Sequence, residues 1–239
     1  MRFALRTDVG CVRALNEDAA YAGENLFVVC DGMGGHNAGE VASAMTVSAL
    51  TQALCAEDVT PGIRALRRAV EEANAGVLQA ASADESRRGM GTTLSALWAD
   101  GESALLAQVG DSRIYLLRGG MLRQCTHDHS MVAELVRQGR LTPEEARVHP
   151  QRNLITRAVG TGRRVEIDFF EEPRHAGDRW LLCSDGLSNI VEDEEIAAVL
   201  SKYEGETAAD ELLRLAISRG APDNVTLIVL DDETGGDAR

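Results

Sequence analysis

Residues 92–124 read T-T-L-S-A-L-W-A-D-G-E-S-A-L-L-A-Q-V-G-D-S-R-I-Y-L-L-R-G-G-M-L-R-Q, and this stretch decides the fold. Apolar runs of strand length are separated by Asp100-Gly101 and Gly119-Gly120, dipeptides suited to two-residue hairpins because glycine accepts the positive φ such turns demand. Strands joined so tightly must be antiparallel. Working outward, residues 3–7, 26–30, 165–171, 179–184 and 225–230 read as further strands. Ala44, Val47, Leu50 and Leu54 recur at helical spacing. Thr60-Pro61 reads as the N-cap and first position of a second helix, with Ile63, Leu66, Val70, Ala73 and Val77 as its apolar face. Residues 193–200 and 207–219 give two more amphipathic helices, the last closed by Gly220. Helices arrive in adjacent pairs and do not alternate strictly with strands. That order predicts two antiparallel sheets packed face to face with helix pairs outside.

At 239 residues the chain suits one large domain, expected to span residues 1–231, with residues 232–239 as a disordered tail. Residues 130–139 read as a short helix with Val132, Leu135 and Val136 inward. Thr142-Pro143-Glu144-Glu145 then carries an N-cap, a proline at the first helical position and a glutamate at the third. Residues 131–152 are expected to form an exposed flap. The formal charge is −14, from 24 basic and 38 acidic residues, which argues against a nucleic-acid partner. Lys202 is the only lysine, so neither a phosphate-binding Gly-Lys-Ser/Thr loop nor a kinase lysine strand is present. Five scattered cysteines, mostly inside apolar runs, read as reduced core residues. With no membrane-length apolar run, a cytoplasmic, monomeric protein with no membrane insertion is expected.

The chemistry lies in a repeated pattern. Apolar runs end on an acid at Asp31 (V-V-C-D-G-M-G-G-H), Asp111 (L-A-Q-V-G-D) and Asp185 (W-L-L-C-S-D), while Asn16-Glu17-Asp18 and Asp223-Asn224 precede apolar stretches. One Asp-Gly alone is ordinary turn chemistry, as Asp100-Gly101 illustrates. In an antiparallel sheet, however, the end of one strand lies beside the start of its neighbour, so all five carboxylates can share one edge. Their mutual repulsion calls for hard divalent cations with oxygen ligands, and a polynuclear Mg2+ or Mn2+ site is the simplest reading. His127 and His129, two apart in a loop, make a poor metal motif.

The blocks R-A-L-N-E-D (13–18), D-G-M-G-G-H (31–36), G-M-G-T-T-L (89–94), V-G-D-S-R-I-Y (109–115), T-H-D-H-S (126–130), N-L-I-T-R-A-V-G (153–160), C-S-D-G-L (183–187) and P-D-N-V-T (222–226) appear in this order. The chain resembles the metal-dependent protein serine/threonine phosphatases of the bacterial PPM (type 2C) family. That resemblance implies an α+β fold, a four-layer α/β/β/α sandwich of two antiparallel sheets flanked by helix pairs. It implies hydrolysis of phosphoserine and phosphothreonine in proteins by a metal-bridging water, without a phosphoenzyme. Position by position, it makes Asp31 the bridging ligand, with the Gly32 carbonyl, Asp185 and Asp223 completing a centre of two Mn2+ or Mg2+ ions. Asp18 is implied to bind through water, and Asp111 to help Asp185 hold a third, weaker ion. Arg13 matches the phosphate-binding arginine. Met33 stands where the eukaryotic pattern has a general-acid histidine, which leaves His36 and a metal-bound water as candidates for the proton donor. The implied partners are phosphorylated proteins, including a serine/threonine kinase and its substrates.

Other phosphatase chemistries are absent from the text. No cysteine is followed six residues later by arginine, and no Asp-x-Asp pair occurs. Two alternatives remain: a catalytically weak phosphoprotein-binding module of the same fold, and a two-metal nuclease, the latter opposed by the −14 charge.

Overall fold

The computed structural model describes residues 1–23, 25–34, 38–56 and 59–233. In chain order, β1 (Arg2–Asp8), β2 (Asp18–Gly23) and β3 (Leu26–Met33) lead into the helix pair α1 (Gly39–Leu54) and α2 (Ile63–Ala83). The strands β4 (Gly91–Thr92), β5 (Leu94–Asp100), β6 (Ser103–Val109), β7 (Arg113–Arg118) and β8 (Met121–Gln124) follow. Next come the short helices α3 (Met131–Arg137) and α4 (Pro143–Arg147), then β9 (Asp168–Pro173) and β10 (Arg179–Cys183). The chain closes with α5 (Asp185–Ser188), α6 (Asp193–Lys202), α7 (Gly205–Ser218) and β11 (Val225–Asp231).

The strands form two sheets, one ordered β1-β11-β10-β7-β8 and the other β2-β3-β5-β6-β9 with β4 on β3. Every described strand pairing is antiparallel. Alternation along β3 shows why the layers number four. Leu26, Val28 and Cys30 pack against Leu50, Leu54, Leu66 and Val70 of the α1–α2 pair. Phe27 and Val29 point the other way, to Trp180, Leu182, Ile228 and Leu230 of the second sheet. That sheet's outer face, with Tyr115, Leu181 and Val229, is covered by Ile196, Leu200, Leu212 and Ala216 of α6 and α7. Strands buried on both faces read as continuous apolar runs, which is why they stood out in the sequence.

Several expectations shift locally. Gly119 and Gly120 both take positive φ between Arg118 and its partner Met121, as a tight hairpin requires. In the other hairpin Asp100 pairs with Ser103, so the loop is Gly101-Glu102 and Asp100 still belongs to the strand. Helix α2 starts at Ile63 behind an extended Gly62, whose carbonyl accepts from Leu66, so Thr60 and Pro61 lie outside it. In α1 the buried face is Ala42, Ser43, Thr46, Leu50 and Leu54, and Ala44 is exposed. Ser43 and Thr46 tolerate burial because their hydroxyls donate to the Glu17 and Ala42 carbonyls. In α3 only Val132 is buried, with Leu135 and Val136 half-buried. Strand β9 begins at Asp168, three residues later than expected, while Val165 and Ile167 pack under the α1–α2 layer. The Thr142 capping box, with Pro143 opening the helix, is present in α4. Of the expected tail, Asp232 is buried against Arg174, and residues 234–239 lie outside the described residues.

Candidate metal centre

Asp31 sits near the end of β3 and Asp18 at the start of β2, directly opposite each other in register. The main chain at Asp31 is held by the neighbouring Thr92-Thr93. Its N–H donates to Thr93 Oγ1 at 2.8 Å, and its carbonyl accepts from Thr92 Oγ1 at 2.8 Å and from the Thr93 N–H at 2.9 Å. Gly32, next in the chain, has no room for a side chain. A Cβ there would lie 2.2 Å from the Gly39 carbonyl oxygen and 2.4 Å from that of Glu17.

Asp185 opens α5 just after β10, and Asp223 lies in the loop entering β11. Gly186 is crowded in the same way as Gly32, since a Cβ would meet the Asn224 carbonyl at 1.9 Å. Ser184 ties the two sheets together at this edge: its hydroxyl donates to Asp18 Oδ2 at 2.8 Å and accepts from the Thr226 N–H. Asp31 and Asp185 are close enough for each to bear on the other's ionisation. Asp111 occupies the loop between β6 and β7, where its negative charge is felt at Asp31. Arg13 Nη2 donates to Asp223 Oδ2 at 2.8 Å, which places the guanidinium at the rim of the acids. The structure therefore brings together Arg13, Asp18, Asp31, Gly32, Asp111, Asp185 and Asp223. His36 lies outside the described residues.

The electrostatics follow from crowding. The carboxylates keep some contact with solvent, yet protein atoms surround them densely. Desolvation, ahead of the neighbouring aspartates, raises the pKa of Asp31 and of Asp111 well above the usual carboxylate range, and raises that of Asp185. Asp18 is pushed up to about 7, first by burial, with the Thr226 and Ser184 hydroxyls pulling the other way. Arg113, near Asp111, brings little relief because Asp128 already engages it at 2.7–3.1 Å.

Among the described residues, no three His, Cys, Asp or Glu side chains are already drawn into a cage around one ion. The donor set nonetheless fits hard divalent cations. It is all oxygen and carries far more negative charge than Arg13 can offset. Asp18 Oδ1 and Asp185 Oδ1 are buried with no hydrogen-bond partner.

The family model described as Protein phosphatase 2C matches residues 13–215. The chain belongs to the protein phosphatase 2C family. The serine/threonine protein phosphatase PstP of Mycobacterium tuberculosis is 47% identical to it, over 97% of this chain and 45% of the relative. The chain thus spans less than half the length of that mycobacterial protein. The serine/threonine phosphatase stp of Listeria monocytogenes is 40% identical, with coverage of 97% and 96%. Among solved structures, the catalytic domain of PstP in complex with two manganese ions superposes with a TM-score of 0.88 at 45% identity, covering 96% of this chain and 97% of that one.

Within this phosphatase-2C fold, sequence reasoning missed the polar residues that set the site. Asn224, 4% exposed, accepts the Glu17 N–H at 2.8 Å and donates to the carbonyls of Val9 and Leu15 at 2.9 Å, so one amide pins the loop bearing Arg13 onto the loop bearing Asp223. A buried chain of hydrogen bonds runs from Ser95 through Gln108 to Ser112 and Thr93, and joins the Asp111 loop to Asp31. His129, read as no metal ligand, is buried and accepts the Gly110 N–H, which anchors the same loop from the other side. The D-N and T-T dipeptides were visible in the sequence, but their partners lie across the fold.

Proposed function

We propose that the chain hydrolyses phosphoserine and phosphothreonine in proteins. Two Mn2+ or Mg2+ ions would be held by Asp31, the Gly32 carbonyl, Asp185 and Asp223, with Asp18 in their outer shell and Asp111 sharing a third ion with Asp185. The observation that carries this reading is the cluster of desolvated aspartates with Arg13 as its one ion-pair partner among the described residues and with orphaned oxygens on Asp18 and Asp185. When bound, divalent cations offset that charge, admit a phosphate dianion and acidify the attacking water.

The chain's own residues account for the remaining steps. Thr92 and Thr93 fix the Asp31 main chain so that little reorganisation is needed during reaction. Arg13 uses one nitrogen on Asp223 and presents the others to phosphate oxygens. His36 is the proposed proton donor to the departing serine or threonine oxygen. A thiol route is disfavoured, because burial pushes Cys183 up to about 12 and raises Cys30 still further. Residues 131–152, with α3 and α4, are proposed as a substrate-selecting flap. Its base is tied by a bridge between Ser130 and Ile155 and by Met131 N–H donating to the Leu154 carbonyl. The proposed protein substrates include a serine/threonine kinase, and the proposed setting is a monomer in the cytoplasm, where free thiols such as Cys30, Cys125 and Cys183 persist.

The test is phosphate release from a phosphothreonine peptide with Mn2+, with Mg2+ and with chelator. Hydrolysis only with a divalent ion is expected. Equal rates with chelator would sink the reading.

A further inference from the structure

Charge is unevenly distributed along this acidic chain. Residues 130–164 hold seven arginines against three glutamates and no aspartate, a net +4 in a chain of −14. Three of those arginines, Arg137, Arg147 and Arg152, line a cavity of about 420 Å3 whose wall also includes Asp111, Arg113 and Asp185. Val132 and Val136 of α3 and Pro143 of α4 supply apolar lining. One cavity is therefore lined both by acids of the proposed metal centre and by arginines of the flap.

These arginines are available to a ligand. Arg152 makes no ion pair with any described residue. Arg137 pairs with Glu134 and Arg147 with Glu192, and both pairs have side chains between 36% and 55% exposed. Such exposed pairs contribute about 0–1 kcal/mol each and are readily exchanged. Two of the acids on the cavity wall are engaged elsewhere: Asp128 is held by Arg113, and Asp193 accepts from the Tyr115 hydroxyl.

We propose that this cavity is a second anion subsite, which takes a further phosphoryl group on the same peptide, one to three residues from the phosphoresidue being hydrolysed. The inference rests on the phosphatase reading above for the first subsite only. A phosphate dianion matches several converging guanidinium forks, whereas a single carboxylate is satisfied by one. The apolar wall accommodates the intervening side chain, and the surrounding −18 of the remaining chain disfavours anionic peptides that cannot reach the arginines.

The experiment compares three peptides of one sequence: a single phosphothreonine, the same with a second phosphothreonine one to three residues away on either side, and the same with glutamate at that second position. The readout is the ratio of kcat/KM between peptides within each protein, so general loss of activity cancels. In the wild type a doubly phosphorylated peptide is expected to exceed the singly phosphorylated one about tenfold, the size of one charge-assisted contact. The glutamate peptide is expected to gain far less. Arg152→Gln and Arg137→Gln should each shrink the ratio toward one, and so should raised salt. Binding of the same peptides, labelled, to the Asp31→Asn protein gives the comparison without turnover, so failure of the catalytic reading leaves this one testable. No preference at any spacing, a preference that survives both substitutions, or an equal gain from glutamate would each overturn the second phosphate subsite.

Discussion

Strands β10 and β11 each run from one end of the sandwich to the other, and aspartates flank them at both ends. At the end away from the metal centre each has its own arginine. Asp178, with its side chain 1% exposed, meets Arg118 at 2.6 Å; Asp232, fully buried, meets Arg174 at 2.8 Å; Asp231 meets Arg179 at 2.5 Å. At the other end Asp18, Asp31, Asp111, Asp185 and Asp223 share, among the described residues, one ion pair, from Arg13 to Asp223. This fold therefore has a ready way to bury a carboxylate, and among the described residues that device is missing from the edge where the proposed ions would supply the cation. A paired aspartate holds structure together, and a clustered, unpaired one is held ready for ligand.

The largest expected effect comes from exchanging those roles. Asp31→Ala should lower Mn2+-dependent kcat/KM by at least about 10³-fold, equivalent to about 4 kcal/mol of barrier. In chelator the same variant should unfold at a higher urea concentration than wild type, because one member of a repelling cluster is gone. A stability loss of the size of a broken ion pair would erase the distinction between the two ends.

Asp232→Ala should do the reverse. It leaves the Arg174 guanidinium, only 8% exposed, without its carboxylate, so a loss of about 3–5 kcal/mol in urea unfolding is expected. Activity measured well below the transition should be unchanged. Loss of Mn2+-dependent turnover in a folded Asp232→Ala protein would show that the ends are coupled.

A smaller effect tests the cluster as a ligand site directly. Mn2+ at a hundred times its dissociation constant should stabilise the wild type by about 2.7 kcal/mol. Asp31→Ala should show almost none of this gain. Equal thermal shifts in the two proteins would move ion binding away from Asp31.

The same contrast explains what could be read from sequence. Asp31, Asp111 and Asp185 were legible because each ends an apolar run, and such runs exist because their strands are buried on both faces. Asp31-Gly32 and Asp100-Gly101 share a dipeptide but differ in surroundings: Gly32 is pressed by two carbonyls, and Gly101 faces open space within 4 Å. Glycine-rich and acidic neighbours in the sequence separated these two cases. Strand β2 was not legible, because D-A-A-Y-A-G has weak β propensity and forms only through its register with β3, the register that sets Asp18 against Asp31. Asn224, Thr93, Ser112 and His129 were out of reach for a related reason. A buried polar side chain is defined by a partner on another element, and sequence spacing carries no information about that partner.

The smallest effect concerns His129, which links the Asp111 loop to the base of the flap. Gly110 N–H donates to its Nδ1 at 3.2 Å, so that nitrogen carries no proton, and Nε2 holds the hydrogen that meets Asp168 Oδ2 at 3.0 Å. A second proton would set Nδ1–H against the Gly110 N–H. Burial accordingly lowers the pKa of His129; Arg157 and Arg137 add to the effect and Asp168 opposes it. An unfolded histidine takes up its proton near pH 6.5, so on acidification below that value the unfolded chain binds more protons at this site than the folded one. The contribution of His129 to stability is complete above pH 6.5 and is lost as the pH falls. The aspartate cluster, with raised pKa values, shifts stability the opposite way and is common to wild type and His129→Gln. Urea unfolding of both proteins in chelator at pH 7.5 and 5.5 isolates the difference, and wild type should lose more stability on acidification than the variant. Parallel losses would mean that Asp168 cancels the effect of burial, and a steeper loss in His129→Gln that Asp168 outweighs it and His129 is charged where it anchors the loop; either would overturn the assignment.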